Sequence, residues 1–497
     1  MTSVAAVDFG AQSGRVALGH FDGERIDMTV VHRFPNVPVK VRGTLHWDVL
    51  RLYRDALDGL RAAGRLAGIE SIGIDSWAVD FALVDRHGRL LQNPVHYRDS
   101  RRASSFEQAL GHIPPRELYD RTGIQIIPIN TVFELAAMAA ENDPALEAAE
   151  ALLLIPDLFH YWLAGPRVAE RTNATTTQLL DAHTGSWADD LLVRLGIRSD
   201  VLPDLVEAGT PLGDLAADVG VETGLSGTKV VAVGSHDTAS AVAAVPFRRA
   251  GSAYISAGTW SLVGLELDEP LIDDATFAAN LTNEGGVAGT VRLLHNVSGL
   301  WLLHECRRTW AVEGADHSFE QLVSLAEGAP PLRSFIEPND QVFAEPGDLP
   351  ARVREYCVAT GQPPPESIGE IVRCILESLA LKHAQTVGVL GVVTGAPPAE
   401  IHIVGGGSRN ELLCRWTADA ADVPVLAGPE EATVLGNLLT QTMALGQLGS
   451  VAEAREVVRA SFPPTPYEPS TSAAWQEARE RFAAIAAADR PGAGAKA

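Results

Sequence analysis

The chain has 497 residues, with 39 Lys and Arg against 63 Asp and Glu, a formal net charge of −24. So acidic a surface excludes DNA, RNA or an anionic membrane as the main partner, while a small anion in a local pocket stays open. Hydrophobic residues are 46% and charged residues 21%, an ordinary globular composition long enough for two large domains or three ordinary ones. Residues 1–10 (MTSVAAVDFG) do not read as a signal peptide, because they have no basic start and Asp8 interrupts the apolar run. No uncharged apolar stretch of ~18 residues marks a membrane span, so a cytoplasmic location is expected. The four cysteines, Cys306, Cys357, Cys374 and Cys414, are too few for a disulfide scaffold, and none has C-x-x-C spacing.

In chain order, 3–9 (SVAAVDF) reads as a buried strand, Gly10–Gly14 as a turn, and 15–21 and 25–34 as two further strands around an Asp22-Gly23 hairpin. The Gly-containing turn thus joins two strands, unlike a Walker loop, which runs from strand into helix. Residues 48–66 have helical spacing; 71–75, 79–84 and 89–91 read as strands; helical patterns fill 101–165. The run 229–233 (KVVAV) is a buried strand, with a helix expected over 238–245 and a domain junction in PFRRAG at 246–251. The opening pattern then returns in weaker form: strand 253–256, small-residue turn 257–261, strand 262–267. This predicts a diverged internal repeat. Helices are expected at 298–312 and 367–390, a long surface excursion over 329–366, and a strand at 401–404. A glycine loop then leads into helix 410–421, followed by strand 423–427, helix 430–446 and a frayed tail over 486–497.

Several stretches carry residue types that suit phosphate and sugar chemistry. In DFGAQSGR (8–15), amides of a tight turn suit phosphate oxygens; Ser13 adds a hydroxyl, Arg15 a fixed charge and Asp8 a carboxylate for hydrated Mg²⁺. A plain hairpin with a surface Arg is the alternative. AGTWS (257–261) offers a second such turn, and Gly405-Gly406-Gly407 lets a flat ring lie against backbone. In GSHDT (234–238), Asp237 is either a helix N-cap or a general base. DSWAVDF (75–81) sets two acids and a Trp at a strand bend, which suits a polyhydroxy ligand or a core Trp.

These stretches resemble the FGGY carbohydrate kinases. The resemblance runs from about residue 4 to about residue 465, on VDFGAQSGRV (7–16), GIDSWAVDF (73–81), PVHYRDSR (94–101), TNATTTQLLD (172–181), VGSHDTASAV (233–242), SAGTWSL (256–262), TNEGG (282–286) and HIVGGGSRN (402–410). It implies an α/β chain of two RNase H-like domains of the actin/hexokinase ATPase type around a central cleft. The first domain is expected over 1–246 with the sugar site, first phosphate turn and catalytic Asp. The second is expected over 247–465 with the nucleotide site, and 466–497 as a C-terminal helix and tail. It implies ATP with Mg²⁺ as donor and L-rhamnulose as acceptor, giving L-rhamnulose 1-phosphate and ADP, with another ketose of the L-fuculose, ribulose or xylulose type as the alternative. Carried over residue by residue, Asp237 is the catalytic base, and Ala78, His236, Thr238 and Asn296 with it contact the sugar. Ala11, Gln12, Ser13, Gly14, Arg15, Thr259, His304 and Gly406 contact ATP, and Asp8 the metal. Three positions depart from the family pattern: Gln12 replaces the more frequent Ser, Ala78 a Gly, and His304 a Gln. The resemblance also brings Cys357 close to Cys374. A sugar and ATP as small-molecule partners, no nucleic acid, no membrane, and a monomer or small homo-oligomer complete the expectation.

Overall fold

The computed structural model describes residues 1–99, 102–470 and 472–488. From the N-terminus the principal elements are strands β1 (Thr2–Phe9), β2 (Ser13–Phe21) and β3 (Ile26–Pro35), helix α1 (Val49–Gly64), strand β4 (Ser71–Ser76), helix α2 (Ile155–Ala164), strands β5 (Pro211–Asp214) and β6 (Lys229–Val231), and helix α3 (Asp237–Ala243). There follow strands β7 (Ala253–Ala257), β8 (Trp260–Leu267), β9 (Thr282–Gly285) and β10 (Val291–Ser298), helices α4 (Trp301–Val312) and α5 (Ile368–Thr394), strand β11 (Ile401–Val404), helix α6 (Glu411–Ala421), strand β12 (Val425–Ala427), helix α7 (Ala432–Ala444) and strand β13 (Thr465–Tyr467).

These elements fall into two compact units. The first holds 1–246 together with 266–294 and 431–463; the second holds 247–265, 295–430 and the chain from 464 on. The sequence reading draws a single border at 246/247. Apolar periodicity marks where α7 starts and stops but not which sheet it covers, and α7 packs on α3 and β1.

In the first unit the strand order is β5-β6-β4-β1-β2-β3. β1 is antiparallel to β2 and parallel to β4, and β4 is parallel to β6. β1 is almost wholly buried because its apolar residues meet helices on both faces, as central strands of such sheets do. The Asp22-Gly23 hairpin forms as expected: Asp22 Oδ1 accepts from the amides of Glu24 and Arg25 at 2.8 and 2.7 Å, and Gly23 takes φ +109°.

The second unit repeats the plan. β7 is antiparallel to β8 and parallel to β11; β11 continues parallel to β12, and β12 antiparallel to β13. Strand–turn–strand followed by a parallel third strand therefore occurs twice, as the repeat in the sequence predicts.

Four local expectations are corrected. Residues 89–91 make only a bridge, Val84 to Leu90. Within the helical stretch 101–165, Ala151–Leu154 forms a strand, because this short apolar run pairs antiparallel with Phe81–Val84. The segment 329–366 is no surface excursion: Phe335, Ile336 and Phe343 are buried, and 349–359 is helical. Its backbone is pinned, with Glu377 accepting from the Leu332 amide, Ser378 Oγ from that of Ile336, and Gln362 bonding both the N–H and C=O of Phe335. The glycine loop turns through a 3₁₀ segment, Gly406–Arg409, before α6 begins. The frayed tail expected over 486–497 lies, from 489 on, outside the described residues. Cys357 and Cys374 are buried free thiols in hydrogen-bond contact with each other. Among the described residues no helix is long and apolar enough to cross a membrane.

Candidate active site

Strand register assembles the first unit's part of the site. Asp8, next to last in β1, lies opposite Arg15 of β2 and beside Asp75 of β4. Ser76 ends β4 alongside His236, and its amide donates to Ser235 O at 2.9 Å. Asp237 follows at once as the first residue of α3. Asp8, Asp75 and Asp237 thus gather beyond the carboxyl ends of parallel strands, where open α/β sheets bind ligands. α3 reaches this corner because small residues let it approach α7: a Cβ at Gly436 would lie 1.7 Å from Ser240 O.

The three carboxylates influence one another. Burial raises the Asp8 carboxyl to about 6, against the pull of Arg15 and aided by Asp237 and Glu431. Burial, then Asp8, drives Asp75 well above the usual carboxylate range. Asn437 Nδ2 donates to Asp75 Oδ2 at 2.5 Å, while Asp75 Oδ1 is buried without a hydrogen-bond partner. Arg15 Nε lies 3.2 Å from Asp8 Oδ2, and its guanidinium also pairs with Glu431, which holds Arg33 at 2.5 Å. An orphaned buried carboxylate oxygen beside a second carboxylate fits a divalent cation. Mg²⁺ in nucleotide sites takes one or two carboxylates plus phosphates and water. Among the described residues no group of three His, Cys, Asp or Glu forms a ready-made cage.

The turn after β1 is held by Asn36. Its amide donates to Gln12 O and its Nδ2 to Gly10 O, each at 3.0 Å. In a trans peptide the N–H points opposite the C=O, so the Ala11 and Ser13 amides face away from Asn36, with the side chains of Gln12 and Ser13 exposed. That orientation suits phosphate oxygens. Packing against a ring demands the glycine at Gly14, where a Cβ would lie 2.2 Å from the Phe34 ring.

Asp237 is not the helix cap. The N-cap residue of α3 is His236, with no side-chain cap bond. The Asp237 side chain is 31% exposed, and its Oδ1 accepts from Thr238 Oγ1 at 3.1 Å, with His236 Nε2 at 3.4 Å. Both of these contacts fall on Oδ1.

The DSWAVDF bend resolves in favour of its structural reading for Trp77 and Asp80. Asp80 Oδ2 accepts from Trp47 Nε1 at 2.5 Å, Trp77 Nε1 at 3.0 Å and the Tyr97 amide at 3.2 Å. The Trp77 ring is covered by Trp47, centroids 4.1 Å apart. Ala78 stands half-buried before Val79, whose φ is +67°.

The second unit carries candidate residues of its own. Thr259 lies in the tight turn between β7 and β8, where the Gly258 amide donates to Trp260 O at 2.8 Å and Thr259 O accepts from the amides of Gly299 and Trp301. In the glycine loop, a Cβ at Gly407 would lie 2.4 Å from that of Ala257, and one at Gly405 3.0 Å from Ala257 O; a Cβ at Gly406 would meet nothing within 4 Å. Gly406 alone leaves a bare, open backbone face. The loop is no free helix N-terminus, since Asn410 caps α6 by accepting from the Leu413 amide at 3.0 Å. His304 stands on α4, edge-on to Phe319 at 4.8 Å. Burial, with Arg307 nearby, lowers its imidazole to about 4, so it is neutral at pH 7. Asn296 lies on β10, its carbonyl accepting from Asn339 Nδ2 at 3.1 Å.

The first unit therefore gathers Asp8, Ala11–Arg15, Ala78, His236, Asp237 and Thr238; the second holds Thr259, Asn296, His304 and Gly406. Sequence reading missed Glu431, Asn437, Glu284 and Arg292. A signal existed for Asn437: with Gln441 it forms an i,i+4 amide pair on the mainly apolar α7, and Gln441 Nε2 bonds both Asn437 Oδ1 and Ala5 O.

Residues 3–244 match the N-terminal domain, and 253–445 the C-terminal domain, of the FGGY family of carbohydrate kinases. The chain is 44% identical over 478 residues to a rhamnulokinase of Bacteroides thetaiotaomicron, covering 96% of this chain and 98% of that protein. It is 41% identical to a rhamnulokinase of Enterococcus faecalis, over 93% of each. Among solved structures, a ligand-bound xylulose kinase from Lactobacillus acidophilus superposes with TM-score 0.81 over 98% of both chains at 17% identity. The two-domain mixed α/β fold is thus that of the actin/hexokinase-like ATPases, and the chain belongs to the FGGY family of carbohydrate kinases, phosphotransferases that take an alcohol group as acceptor.

Proposed function

We propose that this chain transfers the γ-phosphoryl group of ATP to the 1-hydroxyl of L-rhamnulose, giving L-rhamnulose 1-phosphate and ADP. The observation that carries the reading is Asp237: an uncapped, part-exposed carboxylate at the strand-to-helix corner, with donors on one oxygen only. The likeness to two rhamnulokinases at 41–44% identity supports the acceptor.

In this reading Asp237 accepts the proton of the 1-hydroxyl as its oxygen attacks the γ-phosphorus in line. The Ala11 and Ser13 amides, the exposed Gln12 side chain, the Gly14 backbone and the Arg15 guanidinium hold the phosphates. Thr259, neutral His304 and the open face of Gly406 receive the rest of the nucleotide. Ala78, His236, Thr238 and Asn296 orient the sugar. Asp8 holds the Mg²⁺ site, and a bound Mg²⁺ supplies neutralisation of phosphate charge. Little covalent chemistry falls to the protein; positioning and charge stabilisation carry the rate. In this reading the enzyme is cytoplasmic and monomeric or a small homo-oligomer; the net charge of −24 supports the reading that nucleic acid and anionic membrane are not its partners.

The test is coupled ADP release with L-rhamnulose, L-fuculose, L-ribulose and D-xylulose. The expected result is a kcat/KM for L-rhamnulose at least ~10-fold above the others, with ³¹P NMR placing the phosphate on O1; discrimination of that size needs only ~1.4 kcal/mol. A higher value for another ketose overturns the acceptor.

A further inference from the structure

We propose that Arg292 and Glu284 are positioning residues that fix the tautomer of His236, and through it present one chosen oxygen of Asp237 to the acceptor hydroxyl. The inference rests on the reading of Asp237 as the base.

Arg292 is fully buried on β10, an unusual place for a guanidinium. Its Nε donates to Gly285 O at 2.9 Å, its Nη1 lies 3.2 Å from Glu284 Oε2, and its Nη2 is 3.1 Å from His236 Nδ1. A guanidinium has donors only. His236 Nδ1 must therefore meet it with a lone pair, and the ring proton resides on Nε2. Nε2 is the nitrogen that faces Asp237 Oδ1, at 3.4 Å, a length that catalytic contacts shorten when substrate binds. Glu284 Oε2 lies 3.3 Å from Nδ1 and sits closest to the guanidinium it neutralises. Burial raises the Glu284 carboxyl, and Arg292, the foremost of the groups that oppose this, helps to hold it below its usual range.

The backbone of the same corner is set independently. Glu170 Oε2 accepts from the amide and hydroxyl of Ser235 at 3.0 and 2.7 Å and from Thr172 Oγ1 at 2.5 Å, and Thr172 Oγ1 accepts from the His236 amide at 3.3 Å. Arg292 and Glu284 thus act on the His236 side chain, not on the path of the chain.

With the Thr238 hydroxyl donating to Oδ1 and His236 Nε2 beside that same oxygen at 3.4 Å, Oδ2 is the proton acceptor. The sugar hydroxyl proton passes to Oδ2, the new O–P bond forms to the γ-phosphorus, and the bond from that phosphorus to the bridging oxygen breaks with its electron pair leaving on ADP. An Nδ1–H tautomer would turn a lone pair toward Asp237 and release its carboxylate to rotate.

The test begins without mutation. In protein labelled with ¹⁵N-histidine, with the His236 signal assigned by its loss in His236→Gln, the expected form at pH 7.5 is the neutral Nε2–H tautomer. A doubly protonated ring or the Nδ1–H form overturns the proposal. In Arg292→Met the expected result is a tautomer mixture and a kcat lower by ~10–100-fold, the usual cost of losing an outer orienting partner, with the KM for ATP within about twofold. Arg292→Lys keeps a donor-only group, so it is expected to retain the tautomer and most of kcat. A folded Arg292→Met with parental kcat and tautomer overturns the proposal; if that variant does not fold, the parental spectrum still decides. Failure of the base reading looks different: Asp237→Asn would then retain turnover, whatever the tautomer of His236.

Discussion

The two strand–turn–strand corners share a topology and differ in charge. In the first unit Asp8 of β1 is flanked by Arg15 and Asp75 in register. In the second, the corresponding Ser256 of β7 is flanked by Leu262 and Val404. Three ionic positions in one corner are a hydroxyl and two aliphatic side chains in the other. In the proposed function the difference divides the work. Charge is expensive to bury and is kept where charge develops in a phosphoryl-transfer transition state. An uncharged corner with a bare backbone face suits the nucleoside, whose binding changes little during the reaction. Groups of the first corner should therefore govern kcat, and groups of the second KM for ATP.

The largest expected effect is at Asp237. Asp237→Asn keeps shape and removes the base, so kcat should fall by ~10²–10⁴-fold with KM for ATP little changed. Retention of more than half of the turnover would remove Asp237 from the chemistry. A fall in ATP affinity matching that in kcat would erase the contrast between the corners.

The next effect is a pH dependence that arises at Asp8 in the charged corner. The Asp8 carboxyl is raised from 3.8 to about 6 in the folded protein, by burial first. Below the unfolded value both states are protonated and the group contributes nothing; above about 6 both are ionised and the native state bears the full cost. Stability without cation should hence decline between about pH 4 and pH 6, by roughly 2–4 kcal/mol from this carboxyl. Mg²⁺ should reverse the decline, raising Tm by about 2–4 °C at pH 7.5 and not at pH 4.5. Asp8→Asn should abolish the response; an equal Mg²⁺ effect at both pH values would place the cation elsewhere.

The glycine loop separates binding from packing within the second corner. Gly406→Ala places a methyl in open space, so Tm should hold while KM for ATP rises by about tenfold. Gly407→Ala drives a Cβ into Ala257 and should cost ~1–3 kcal/mol of stability, as overpacking does. Identical behaviour of the two variants, read by thermal melts and ATP titrations, would remove Gly406 from the nucleotide site.

The sequence made the strands, both turns and the repeat legible because they are local: Asp22-Gly23, the buried run 3–9 and the glycine loop declare themselves within ten residues. The partners of the charged corner were not, since each needs a contact between distant segments. Asn437 and Asp75 are 362 residues apart, and Arg292 and His236 are 56 apart. A pattern of apolar spacing marked α7 as a helix but carried no information on which unit it would join. Trp77 and Asp80 stay open in sequence for the same reason: a Trp beside two acids suits a polyhydroxy ligand or a core until Trp47 is found lying on it.

The smallest effect tests how each unit makes its sharpest turn. At its glycine loop the second unit meets a positive φ with a glycine, Gly405 at +80°. The first unit places Val79 at +67°, with the Asp80 amide donating to Ala78 O at 2.9 Å across it, a γ-turn of the strained, positive-φ kind. A β-branched residue there is a genuine outlier. Thr131 Oγ1 donates to Val79 O at 2.6 Å, and the three donors on Asp80 hold the far side, so neighbours over-determine the conformation. Replacing Val79 also removes buried methyl groups, so a single variant would mix strain with packing. A pair separates them: Val79→Ala and Val79→Gly both lose the isopropyl group and differ only in a Cβ. On ordinary backbone the glycine variant is the weaker by ~0.5–1 kcal/mol. Here the Cβ meets the left-handed penalty of ~1–2 kcal/mol, so Val79→Gly should be the more stable by about 1 kcal/mol in urea melts. If Val79→Ala proves the more stable, the turn is unstrained in solution, and the contrast between a strained turn at Val79 and a relaxed glycine loop at Gly405 falls with it.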